Sequence, residues 1–179
     1  MTEPRYDSRK FRELMVYLAE RCRIDPKFGD TKFQKLLYWI DFGAYRKLGA
    51  PITGAAYKRF QHGPVAEPFW RERDVLENVG AVTVEPRSFF NRKQKVTRAQ
   101  READLSIFTR NEIQLIEEVV DQYQHHNASD VRELSHLEAG WQLTDEKEVI
   151  PYETVLIERG PLPPSVQQKG NELLQRYGW

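Results

Sequence analysis

The chain has little cysteine, no excess of charge of either sign and no long apolar run. A single cysteine, Cys22, among 179 residues excludes an internal disulfide framework and suits a reducing compartment. Lys plus Arg and Asp plus Glu both number 27. The formal charge is therefore zero, and no global attraction to nucleic acid or to an anionic membrane is expected. No stretch approaches the ~20 apolar residues of a membrane span. The opening residues, MTEPRYDSRKFREL, lack the apolar centre of a signal peptide. Together these absences point to the cytoplasm and away from the membrane. Internal repeats and low-complexity segments are absent too.

Catalytic and cofactor signatures are equally scarce. The four histidines, His62, His125, His126 and His136, stand in no HExxH, CxxC or zinc-finger spacing, so no metal site is expected. Paired at a helix end, His125 and His126 suit the negative pole of the macrodipole. His136 reads as a buried structural histidine near Trp141, and His62 as a residue whose ring locks a turn through a backbone hydrogen bond. There is no GxGxxG, no phosphate-binding loop and no GxSxG elbow. The sole cysteine has no base to activate it and continues an apolar face, which makes it core. No cofactor is expected and the chain does not read as an enzyme.

What is present is a globular composition, 40% hydrophobic and 30% charged, in one domain long enough to bury roughly 70% of its extended surface. Its strongest pattern runs from Asp30 to Val65. Phe33, Leu36, Leu37, Ile40, Ala44 and Leu48 recur at helical spacing. Asp30 or Thr31 can cap the start, and Gly49 before Ala50-Pro51 stops the helix. A second stripe, Tyr38, Phe42 and Tyr45 with Trp39 beside it, lies roughly opposite. A helix apolar around most of its circumference is either central to a core or covered by a partner. The width of this one predicts a central, mostly buried helix. A partly open aromatic stripe is the alternative.

Around that helix the pattern predicts an amphipathic helix from Asp7 or Ser8 that stops before Asp25-Pro26. It also predicts a turn at Pro51–Gly54, a short extended piece at Tyr57–Phe60 and a second turn at His62-Gly63-Pro64. A helix from Pro64 to Val79 follows, with Val65, Phe69, Val75, Leu76 and Val79 inward. Ala81–Glu85 and Arg92–Arg98 read as the arms of a hairpin, with Pro86–Asn91 turning between them and lysines protecting an edge strand. Thr109 and Glu112 form a capping box ahead of a helix that runs out near His125-His126. Ser129 caps a short helix, Gly140 and Trp141 mark a loop, and Pro151 starts a helix over Tyr152–Glu158. A stiff linker at Gly160–Pro164 precedes a polar helix from Ser165 to Tyr177. The fold class is α+β: a mainly helical single domain with a small antiparallel hairpin.

The string KLLYW–DF–YRKLG–PITG–Y–HGPV between Lys35 and Val65 resembles the signature of the Panacea antitoxin family, the SocA-like domain of GepA-type phage-associated proteins. The residues that carry the resemblance are Lys35, Leu36, Leu37 and Tyr38; Pro51, Ile52, Thr53 and Gly54; Tyr57; and His62, Gly63, Pro64 and Val65. A weaker echo follows at Glu133–His136 with Trp141. The resemblance implies an antitoxin domain over residues 1–160, with residues 161–179 as a linker and helix packed on it. It implies a cytoplasmic protein that neutralises a cognate toxin by direct binding, or hands it to a cytoplasmic protease. The aromatics around the central helix nominate Trp39, Phe42, Tyr45, Tyr57 and Trp70 as partner-binding anchors. The rival reading is a winged-helix-like DNA-binding regulator using Arg87, Arg92, Lys93, Lys95 and Arg98. Zero net charge, and acids at Glu67, Glu72, Asp74 and Glu77, count against it. An enzyme centred on His62 is the third reading.

Overall fold

The computed structural model describes residues 4–89 and 92–157, with Gln168, Glu172 and Gln175 as isolated helical positions. Helix α1, Ser8–Arg21, begins where Asp7 accepts hydrogen bonds from the amides of Arg9 and Lys10, both at 3.0 Å. Its buried face is Phe11, Leu14, Met15 and Leu18, continued by Cys22. Helix α2, Asp30–Leu48, is capped by Gly29 in place of the expected Asp30 or Thr31 and closed by Gly49 at φ 82°. A left-handed closing residue favours glycine because a Cβ would crowd the following carbonyl.

Both stripes of α2 are inside. Phe33, Leu36, Leu37, Ile40 and Ala44 pack one way; Tyr38, Trp39, Phe42 and Tyr45 are buried on the other. The Trp39 ring stacks on Tyr123 of α4 (Arg110–Tyr123) at 3.8 Å and 10°. The Phe42 ring lies 4.5 Å from Tyr152 in a stacked pair and 5.7 Å, edge to face, from Tyr57. Burying rings of this size contributes roughly 2–3 kcal/mol each, which makes α2 the axis on which the other elements assemble.

After α2, strands β1 (Tyr57–Phe60) and β2 (Gly63–Ala66) form an antiparallel hairpin closed by Gln61 and His62. This corrects the expected helix from Pro64. Its first residues are a strand, because the chain reverses at Gly63 (φ 98°) and Val65 pairs with Lys58. Helix α3 covers only Phe69–Asn78, with Pro68 at its N-cap. Phe69 and Leu76 point inward, whereas Val79 is 71% exposed. A second hairpin joins β3 (Val82–Phe89) to β4 (Arg92–Ala99). It is longer than expected, since Pro86 lies within β3 and does not start the turn. The pairing register explains that tolerance: position 86 turns its amide away from β4, so no ladder hydrogen bond is lost.

The capping box of α4 is formed by Thr109 and Glu112. Helix α5, Ala128–His136, is capped by Asn127 with Asp130, so the cap lies two residues before the expected Ser129. Gly140 and Trp141 fall in a short helix α6, Ala139–Leu143, where a loop was expected, and Tyr152–Leu156 is a 3₁₀ turn. The linker at 160–164, and the terminal helix apart from the three isolated positions, lie outside the described residues. Six helices and two small antiparallel hairpins among the described residues make the fold α+β and mainly helical.

Trp39→Ala should lower the unfolding free energy by roughly 3–5 kcal/mol, because it opens a cavity and removes the Tyr123 stack. Urea denaturation measures this directly.

Candidate functional site

The residues between Lys35 and Val65 converge on one construction: α2 seals the outer edge of the β1–β2 hairpin. In an antiparallel pair, alternate residues turn their backbone polar groups away from the partner strand. On β1 the outward groups are met by the chain at Lys147–Ile150. Arg59 N donates to Glu148 O at 3.0 Å, Lys147 N to Arg59 O at 2.7 Å and Ile150 N to Tyr57 O at 2.8 Å. The residues opposite Arg59 and Tyr57 are Pro64 and Ala66, so these two face outward on β2. Pro64 has no N–H to satisfy, and its carbonyl accepts from Lys35 Nζ at 2.8 Å. Ala66 N donates to Gln34 Oε1 at 2.9 Å. Two adjacent side chains of α2 thus do the work of a third strand.

That closure demands glycine at position 63. A Cβ there would come within 2.5 Å of Lys35 Cε and would also strike Ser135 Oγ, and φ is 98°. Lys35 is 2% exposed. The Pro64 carbonyl is its one hydrogen-bond partner among the described residues, and burial pushes its amine down to about 7.

The PITG turn is held from the same helix. Asp41 is fully buried and accepts from Thr53 N at 2.7 Å, from Thr53 Oγ1 and from Tyr57 OH at 2.8 Å. Burial raises its carboxyl above the usual range, against the pull of these bonds. The turn in turn binds the N-terminal segment: Asp7 N donates to Thr53 O at 2.8 Å, and a Cβ on Gly54 would sit 2.5 Å from Arg5 O. Gln34 and Asp41 are the two participants to which the sequence reading gave no role. Their signal was an amide and a carboxylate set inside a helix otherwise apolar on both faces.

The histidines play supporting parts. His62 is exposed at the tip of the hairpin, and its ring makes no hydrogen bond among the described residues. The turn is locked by Lys35 and Gly63, so the expected His62 lock is not what holds it. The ring of His136 stacks on Trp141 at 3.9 Å and 17°. Burial, then the charges of Arg132 and Lys35, hold its imidazole below the ordinary value. The guanidinium of Arg59 also lies over the Trp141 ring, 4.3 Å from its centroid. Lys35 and Ser135 converge on Gly63, but both are buried, so no solute reaches them.

Of the five nominated anchors, Trp39, Phe42, Tyr45 and Tyr57 lie in the core and Trp70 is 48% exposed. A partner meeting the surface as it stands touches Trp70 and not the other four. The indole of Trp70 is braced by Arg73, whose guanidinium lies 4.8 Å from the ring and 2.7 Å from Asp30. Helix α3, on which Asp74 and Glu77 are exposed, packs against β3, whereas Arg98 of β4 donates to Arg23 O at 2.6 Å.

The family model described as Antitoxin SocA-like, Panacea domain matches residues 33–142, from the start of the α2 core to the end of α6. The chain belongs to this antitoxin family. Neither curated proteins nor solved structures gave a match. The Panacea match thus spans both the sealed hairpin and the Asp41 cluster. No helix among the described residues is long and apolar enough to cross a membrane.

Two outcomes test the construction. Gly63→Ala should destabilise the fold by roughly 2–4 kcal/mol, through left-handed strain and the collision with Lys35; thermal melting reads it. Lys35 titrates near 7 when folded and near 10.5 when unfolded. Between those values the unfolded chain holds a proton that the folded chain does not, so stability rises with pH. Below about 7 both states are protonated and the cost of burying the charge is fully present. From pH 7 to 9.5 the natural chain should gain up to about 3 kcal/mol relative to Lys35→Met, which lacks the titration. Urea unfolding of both chains at the two pH values isolates that difference.

Proposed function

We propose that this Panacea-family chain is a cytoplasmic antitoxin that binds its cognate toxin directly and occludes the toxin's active site, without catalysis of its own. Family membership carries the reading. The surface supports it: Trp70 is a half-exposed indole stacked on a guanidinium, the residue pairing that dominates protein–protein hot spots. The buried aromatics Trp39, Phe42, Tyr45 and Tyr57 then serve the core of the scaffold and not the contact itself. Delivery of the bound toxin to a cytoplasmic protease is a finer version of the same reading and uses the same contact.

The nucleic-acid reading has less behind it. The helix beside the cationic hairpin carries exposed Asp74 and Glu77, which repel phosphate. His62 is exposed and makes no hydrogen bond among the described residues, which gives the catalytic reading no specific support.

Co-expression with the product of the neighbouring reading frame tests the proposal. The natural chain should restore growth and co-purify with that product. Trp70→Ala should weaken the complex roughly tenfold or more while leaving the melting temperature nearly unchanged. Rescue and affinity unaffected by Trp70→Ala would move the interface elsewhere, and a natural chain that neither rescues nor binds would remove the antitoxin role.

A further inference from the structure

The β3–β4 hairpin is the one paired ribbon among the described residues whose outer edges are left open. Gln100 N donates to Ala81 O at 2.9 Å just beyond the ladder. Counting from that pair, Thr83–Arg98, Glu85–Val96 and Arg87–Gln94 exchange hydrogen bonds, while Pro86–Lys95 and Ser88–Lys93 turn their backbone groups outward. The outward groups of Lys93 and Lys95 meet no protein partner among the described residues. On β1–β2, by contrast, Gln34, Lys35 and residues 147–150 meet the outward groups of Arg59, the carbonyls of Tyr57 and Pro64 and the amide of Ala66.

The two open edges are not equivalent. On β3 the outward position 86 is a proline, which has no N–H to offer. On β4, Lys93 and Lys95 present two N–H and two C=O groups, and both residues are exposed. The opening is short, since Val96 and Thr97 are buried. It is also strongly cationic: Val82–Ala99 holds five Lys or Arg against one Glu in a chain of zero net charge. Lys93 and Lys95 project from the same face of the strand, two residues apart, and Lys95 also acts electrostatically on Asp30. A second copy of this edge would set lysine against lysine, which disfavours self-pairing.

We infer that the β4 edge at Arg92–Val96 is a docking strand for an extended acidic segment of the toxin, one with carboxylates at alternate positions that meet Lys93 and Lys95. The backbone supplies the pairing and the two lysines select the sequence. This rests on the antitoxin reading and adds the chemistry of the partner segment.

The test uses the full-length chain and a fluorescein-labelled peptide with glutamate at every second position and valine between. Fluorescence anisotropy at low salt should show saturable binding. Lys95→Gln removes the charge and keeps the N–H. Lys95→Pro removes both at a position where β3 already accommodates proline. Affinity should fall about threefold to tenfold in the first variant and a further tenfold or so in the second. Equal losses in the two variants would overturn edge pairing, as would equal binding of a peptide with lysine in place of glutamate. A duplex DNA probe that binds more tightly than the peptide, or self-association lost in Lys95→Pro, would also overturn it. Growth rescue separates this inference from the broader reading. If the natural chain rescues and folded Lys93→Glu/Lys95→Glu rescues equally well, the docking strand alone is wrong. If the natural chain does not rescue at all, the antitoxin reading is wrong.

Discussion

Lys35 reaches across from α2 to hydrogen-bond the carbonyl of Pro64, and Gln34 beside it takes the amide of Ala66. A two-stranded hairpin alone is marginal in water, because half of its backbone groups have no strand to pair with. Here one side is met by residues 147–150 and the other by a helix. The arrangement requires an apolar helix able to bury a lysine, a proline where an amide would be orphaned, and a glycine where a methyl group would displace the lysine. A substitution at any of these positions leaves a buried polar group without its partner. Each such loss costs on the order of 1–3 kcal/mol, a sizeable part of the stability of a domain this size.

Asp41 extends the same logic to the preceding turn. It gathers Thr53 and Tyr57 under α2, and the turn then pins the N-terminal segment through Asp7 and Arg5. Helix α2 therefore holds both the loop before the hairpin and the hairpin itself. The rings of Phe42, Tyr57 and Tyr152 pack on one another and tie α2 to β1 and to the 3₁₀ turn.

Much of this was legible in the sequence, for identifiable reasons. Helix α2 announced itself by periodicity and by Gly49, α1 by Asp7, and α4 by the Thr109 and Glu112 box, all local signals. Position 64 was misread because proline after a turn is equally good helix-start and edge-strand chemistry. Only the pairing of Val65 with Lys58 decides between them, and that is not a local property. Pro86 misled for the same reason: its tolerance within β3 depends on which way the register turns its amide. The aromatic anchors were chosen by residue type, and exposure separates Trp70 from the rest only once α3 is placed. Gln34 and Asp41 were hidden because polar residues on an apolar helix look like its solvent side until both sides prove to be buried.

Since the residues of α2 and the hairpin that define the family spend their side chains on one another, nearly all the determinants of shape face inward. The outer surface is correspondingly released from structural duty. Residues 70, 93 and 95 are exposed, so on the reading proposed above recognition can drift there while the architecture stays fixed. A single frame of this kind is suited to re-targeting by exchange of a few outer side chains.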